Sequence, residues 1–245
     1  MRPRLLALAL AAAATSAALP SPARAQYGQR AAAARPAPRW FGGAELIYAQ
    51  PRGDFRDYVN RGWGGAGHVL FAADRRGILA LRLEGGLLNY GSERKRGCLS
   101  TAFGCRLLVD VTTSNNIVFA GVGPQLLAPT GRLRPYANGT VGFSYFYTQS
   151  SLESTYGDGS PLASSTNYND AVLSTSASGG LYIPLTVSRV RFSVDVGATY
   201  RWHGKTRYLR EGSITDLPDG SIEYVPIESR TDMVMYHLGV SFGVK

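Results

Sequence analysis

Between positions 191 and 203 the chain reads RFSVDVGATYRWH, and alternate residues belong to two different chemistries. Phe192, Val194, Val196, Ala198, Tyr200 and Trp202 form an apolar row, while Arg191, Ser193, Asp195, Gly197, Thr199, Arg201 and His203 form a polar one. A period of two marks a β-strand with unlike faces. The pattern recurs at 40–49, 63–71, 78–90, 136–148, 172–183 and 232–244. A further strand is expected inside 107–127, where the register is unclear and Asn115-Asn116 reads as a bulge or the rim. No helical period of useful length follows residue 30.

The N-terminus bears on where such strands operate. Met1-Arg2-Pro3-Arg4 is basic, 5–19 is apolar and alanine-rich, and Ala23-Arg24-Ala25 is a small-x-small site, the layout of a secretory signal peptide over 1–25. Its unbroken apolar run, 5–14, is well short of the ~20 residues a spanning helix needs. Every later apolar run is broken by Gly, Arg, Glu or Asp, so any bilayer crossing falls to strands. Residues 26–39, QYGQRAAAARPAPR, carry no strand pattern and read as a linker, leaving 40–245 as one all-β domain.

Cleavage would remove Arg2, Arg4 and Arg24 and no acid, taking the formal charge from +9 to +6. The basic residues are scattered without interleaved aromatics, so nucleic acid is not an expected partner and anionic lipid headgroups are. Cys98 and Cys105, in GCLSTAFGC, lie between two strand patterns of an exported chain, and a small loop disulfide is expected. A metal pair there would want histidine or further cysteine close by, and neither is present.

An open sheet in lipid would leave its edge amides unsatisfied, so the strands must close into a barrel. The connections at 74–77, 128–134 and 184–189 are short, and those at 51–62, 91–106, 149–170 and 204–231 are long. Short turns at one rim and long extracellular loops at the other are the topology of an outer-membrane barrel. In the last loop, alternating flanks around Pro218-Asp219-Gly220 predict a hairpin carrying strands seven and eight past the membrane. The expected fold is all-β: an eight-stranded antiparallel up-and-down transmembrane β-barrel.

Magnitudes decide which row is inside. With the polar row outward, Arg82, Glu84, Arg191, Asp195 and Arg201 would meet hydrocarbon, at about 2–4 kcal/mol for each arginine near the midplane. Inward, they pair. Glu45, Arg82, Glu84, Arg191, Asp195, Arg201 and His237 are therefore predicted to form an interior charge network, with Asp195 pairing an inward arginine. Its role is structural, because eight strands enclose a lumen that side chains fill and buried charges need partners. The apolar row then meets lipid, with girdle aromatics Trp40 and Phe242 at the turn side and Tyr48, Trp63, Tyr147 and Trp202 at the loop side. A soluble lipocalin-like barrel would need the opposite arrangement.

A signal peptide, eight amphipathic strands, three short turns and four long loops resemble, over 40–244, the small outer-membrane barrels of the OmpA/OmpX/OmpW type. The resemblance implies residence in the bacterial outer membrane among its lipids, insertion by the barrel-assembly machinery, no cofactor or metal, and a structural, surface-binding or narrow-channel role. The chain departs from the type in ending Phe242-Gly243-Val244-Lys245, with the aromatic three residues early. Lipid A deacylases of similar size carry a His-x-Ser pair on a lipid-facing strand. Here the contexts are His68-Val69-Leu70, His203-Gly204-Lys205 and His237-Leu238-Gly239, all on the inward row, so catalysis is not expected. The lipid A palmitoyltransferase holds its acyl chain in an apolar lumen, which the polar row contradicts. Arg52-Gly53-Asp54 reads as a chance tripeptide. The expected function is a non-enzymatic barrel with a structural or surface-binding role through its extracellular loops, any ligand being unidentified, with a narrow pore as the alternative.

Overall fold

The computed structural model describes residues 39–98, 108–154, 161–185, 191–216 and 222–244. The signal peptide, nearly all of the linker and the Cys98–Cys105 disulfide lie outside the described residues. In chain order the strands are β1 (Trp40–Pro51), β2 (Gly62–Ala72), β3 (Leu79–Cys98), β4 (Leu108–Leu127), β5 (Arg134–Ser154), β6 (Pro161–Pro184) and β7 (Arg191–His203). Four short strands follow, β8 (Lys205–Tyr208), β9 (Ile214–Asp216), β10 (Ile222–Tyr224) and β11 (Ile227–Arg230), and the last is β12 (Met233–Val244). β1 to β7 and β12 form a closed barrel in which every neighbouring pair is antiparallel and β12 closes the ring against β1.

Burial follows the alternation. On β7, Ser193, Asp195, Thr199, Arg201 and His203 are buried, while Phe192, Val196 and Trp202 are exposed. The outward surface is an apolar band: Leu46, Leu83, Phe143, Leu173 and Leu238 are each more than half exposed. Two aromatic rings bound it. At the turn side Trp40 packs on Phe71 with ring centroids 4.9 Å apart, and Phe242 lies beside Gly42. At the loop side Tyr48 pairs with Trp63 at 4.6 Å, Tyr145 with Tyr147 at 5.8 Å and Tyr200 with Trp202 at 4.6 Å. From Trp40 to Tyr48 a tilted strand climbs about 20 Å at ~3.3 Å per residue, against an apolar band of ~25 Å in such barrels.

A lumen ringed by eight strands is too narrow for large side chains to stand opposite one another. Glycine in register resolves the conflict. Glu45 stands across from Gly239, His237 from Gly197, His68 from Gly43 and Tyr136 from Gly180. A β-carbon at any of these four glycines would lie 2.5–2.7 Å from an atom of the partner side chain. The inward glycines are slots for the interior polar groups.

Three expectations are corrected. The barrel strands are not all of membrane length: β3 and β4 have 20 residues, β5 has 21 and β6 has 24, so much of what reads as long loops at 91–106 and 149–170 is strand standing above the membrane. Those stretches carry polar residues on both faces, which erases the period-two signal. Asn115 and Asn116 lie within β4, and the irregularity sits opposite them on β3, where the register skips Tyr90 between Asn89 and Gly91. This bulge aims Tyr90 into the lumen. Finally, the expected hairpin is present beyond β7 and the last strand, β8 pairing with β11 and β9 with β10, but it leans on the wall and its base turns inward, burying Tyr208 and Leu209. Tyr208 finds three aromatic partners over the mouth of the barrel, which outweighs exposure of a bare hairpin.

Candidate functional site: the lumen and its outer mouth

The lumen has two layers of different chemistry. The layer toward the turns is ionic. Glu84, on β3, takes Arg82 Nε at 2.8 Å and Arg201 Nη2 at 2.8 Å, and accepts from Thr140 at 3.0 Å. Thr140 is in turn 2.7 Å from Ser176. Arg82 also donates to Gln125 at 3.2 Å and lies 3.8 Å from Glu45, while Arg201 rests over the Phe119 ring at 4.3 Å. One carboxylate thus compensates two buried guanidiniums, and cation–π contact shelters one of them.

Beside it is a second cluster. The Tyr136 hydroxyl donates to Asp195 Oδ1 at 2.8 Å and lies 2.8 Å from His237 Nε2. Having given its one proton to Asp195, the phenol oxygen accepts from the histidine. Tyr182 stacks on Tyr136 with centroids 4.6 Å apart and reaches His68 Nε2 at 3.3 Å. His68 Nδ1 is 3.8 Å from Glu45 Oε2.

The structure therefore brings Glu45, Arg82, Glu84, Asp195, Arg201 and His237 into one layer. Arg191 begins β7, and its side chain is outside the described residues. The pairing of Asp195 with an inward arginine is corrected: its partners are Tyr136 and His237, because Glu84 already holds both Arg82 and Arg201. The network expected from sequence leaves out His68, already placed on the inward row, and with it Tyr136, Tyr182 and Thr140. Parity places all four on the inward row, but tyrosines near strand ends read more naturally as girdle residues.

The outer layer is apolar. Phe55, carried by a 3-10 turn at Gly53–Asp57, is buried among Tyr208 at 5.2 Å, Tyr90 at 5.8 Å and Phe146 at 6.5 Å between ring centroids. Ile47, Leu88, Ile117, Phe119, Met233 and Met235 complete the cluster from the barrel wall. The Tyr90 hydroxyl donates to the Leu209 carbonyl at 3.1 Å, and the first loop is tied down by Arg52 N–H to the Asp232 carbonyl at 2.8 Å. The first and last loops together plug the lumen.

At the edge of this plug, His203 Nδ1 is 2.8 Å from the Thr231 carbonyl and Nε2 is 2.8 Å from Ser144 Oγ. Donation from Nδ1 leaves Nε2 as the acceptor of the serine proton, the tautomer a nucleophilic pair would use. Both residues are buried and Phe146 covers the imidazole, with centroids 5.6 Å apart.

Above the plug, the tall wall of β3 to β6 and the last loop enclose a cleft of about 610 Å³, lined among others by Lys95, Thr113, Ser150, Asn167, Arg210 and Tyr224. Its β4–β6 side carries a hydroxyl ladder, Thr113 to Ser150 at 2.9 Å and Asn167 to Ser150 at 2.6 Å. The rim is stiffened by Asp110, which accepts from Arg94 and Arg96 at 3.0 Å each. These bonds, that from Arg96 foremost, hold the Asp110 carboxyl below the usual carboxylate range.

A closed antiparallel ring of eight strands, charged within and apolar without between two aromatic girdles, decides the placement. It has the fold of the small bacterial outer-membrane barrels. No protein-family model matches the chain, and no curated protein matches it in sequence. Among solved structures it is similar to Neisserial surface protein A, at 12% identity and TM-score 0.42 over 84% of this chain and 97% of that one. It is similar to Ail, the attachment invasion locus protein of Yersinia pestis, at 14% identity and TM-score 0.38 over 82% and 97%. A major outer membrane protein from Thermus thermophilus aligns at 10% identity and TM-score 0.40 over 83% and 98%.

Proposed function

We propose that this barrel is a non-conducting, non-enzymatic outer-membrane protein that works through its extracellular end, offering the cleft between the β3–β6 wall and the last loop to a polar ligand. The observation that carries the reading is the plug. Phe55, Tyr90, Phe146 and Tyr208 fill the lumen above the ionic layer, so the axis offers solutes no continuous aqueous route. The cleft supports the binding role, because its hydroxyls and amide are presented on the paired strands of the wall, with Arg210 supplied by the last loop. The burial of Ser144 and His203 argues against hydrolysis, since no substrate carbonyl can reach Oγ.

The test is electrical. The protein reconstituted in planar bilayers is expected to give a flat current trace, and the double variant Phe55→Ala/Tyr208→Ala is expected to open intermittently. A steady open state in the unaltered protein would overturn the reading in favour of a narrow pore. Incubation with lipid A or phospholipid, followed by mass spectrometry, is expected to return unmodified lipid.

A further inference from the structure

The ionic layer is unevenly compensated. Glu84 engages both Arg82 and Arg201 at 2.8 Å, leaving Glu45 with Arg82 at 3.8 Å. Asp195, fully buried at 0% exposure, has no arginine within ion-pair distance among the described residues. Among the described residues its Oδ2 has no hydrogen-bond partner, and neither has Glu45 Oε2, which has only His68 Nδ1 at 3.8 Å. Buried carboxylate oxygens without a donor are costly unless something positive sits between them.

We propose that the lumen binds one divalent transition-metal ion of zinc-like preference through Glu45, Asp195 and His237, with the Tyr136 hydroxyl closing the fourth corner. One carboxylate oxygen from each acid and a ring nitrogen of His237 lie within 4.8 Å of one another. The Tyr136 oxygen is 2.8 Å from both Asp195 Oδ1 and His237 Nε2, which are themselves 3.8 Å apart. These spacings straddle the about 3.3 Å edge of a tetrahedron with metal–ligand bonds near 2.0–2.1 Å. One imidazole and two carboxylates suit a borderline ion rather than calcium or magnesium, which favour all-oxygen cages. The site is preorganised: Gly239 and Gly197 make room for the Glu45 and His237 side chains, and Tyr182 stacks behind Tyr136. Spacing along the chain does not reveal it, because the three ligands come from three strands brought together only by barrel closure across β1, β12 and β7. The plug blocks approach from outside, and toward the turns Tyr182 and Arg134 border a cavity of about 10 Å³, room for a single water. The ion is therefore taken up as the barrel closes.

The test uses the untagged full chain, stripped with a chelator and refolded in detergent with cobalt or zinc chloride, its folding verified by heat-modifiable gel mobility. The expected result is a single retained equivalent by elemental analysis and visible cobalt absorption of the four-coordinate type. Glu45→Gln and His237→Gln are each expected to weaken binding at least about 100-fold, beyond the 10–100-fold that a supporting partner contributes. His203→Gln, whose ring bonds Ser144 and Thr231 instead, is expected to bind normally. Folded, unaltered protein that retains no metal would overturn the proposal without touching the plug or the cleft. Retention that survives both glutamine variants, or that follows His203, would overturn it equally.

Discussion

Glu45 on β1 stands directly across from Gly239 on β12, and its side chain occupies the space a β-carbon at 239 would fill, 2.7 Å from its own Cβ. The seam that closes the barrel is thus keyed, an acid into a glycine. Gly239→Ala would also set a β-carbon against the Ala44 carbonyl oxygen, so β1 and Glu45 must both shift and the seam is overpacked, at about 1–3 kcal/mol. The check is the denaturant midpoint of the detergent-folded protein, and an unchanged midpoint would rule the keying out.

Glu84 has a heavier task, holding two arginines that are each 2% exposed. Glu84→Gln keeps the shape but strands both guanidiniums in the lumen, and a loss of about 3–5 kcal/mol is expected. If Arg82 and Arg201 were hydrated from a water-filled channel instead, the variant would unfold within error of the parent.

Leu238 pairs with Leu46 on one side and Val196 on the other, and all three side chains point out of the barrel. Leu238→Arg is expected to lower stability in bilayers by about 2–4 kcal/mol if this row lies near the midplane. A control at exposed Arg207, Arg207→Lys, is expected to leave stability unchanged. Equal behaviour of the two variants in lipid vesicles would contradict the lipid-facing assignment.

The rim carries a pH dependence. The Asp110 carboxyl is held low by Arg96 and Arg94, so the folded β3–β4 wall binds fewer protons than its opened form. Its contribution is complete above the ordinary carboxylate range near pH ~4 and disappears as pH falls through the lowered folded value. Protection factors for amide exchange at the tip of β3 and β4, that is, rates divided by the intrinsic rate at each pH, are expected to be flat from neutrality to that point and to fall below it. Asp110→Asn should show the lower protection throughout.

Much of this architecture is legible in the chain. Wherever a strand has lipid on one side and the lumen on the other, period two is enforced by energy, and RFSVDVGATYRWH displays it without exception. Above the membrane that pressure is absent. SERKRG in β3 and SSLES in β5 continue strands that sequence reading assigns to loops, because water touches both faces. The charged members of the lumen were visible by parity, but not their partners. That Asp195 meets Tyr136 rather than an arginine depends on the stagger of β5, β6 and β7, and that stagger follows from where inward glycines leave room. The plug was invisible for another reason. Phe55 lies in a segment with no periodicity and Tyr208 in a hairpin flank whose alternation does not say what it packs on, and only barrel closure makes one cavity their common destination.

The unequal strand lengths have one last consequence. The wall of β3 to β6 is held upright by main-chain pairing, which does not depend on the identity of its outward residues. Those outward residues can be replaced with little effect on the packed interior beneath. The molecule keeps a fixed foundation and a replaceable façade.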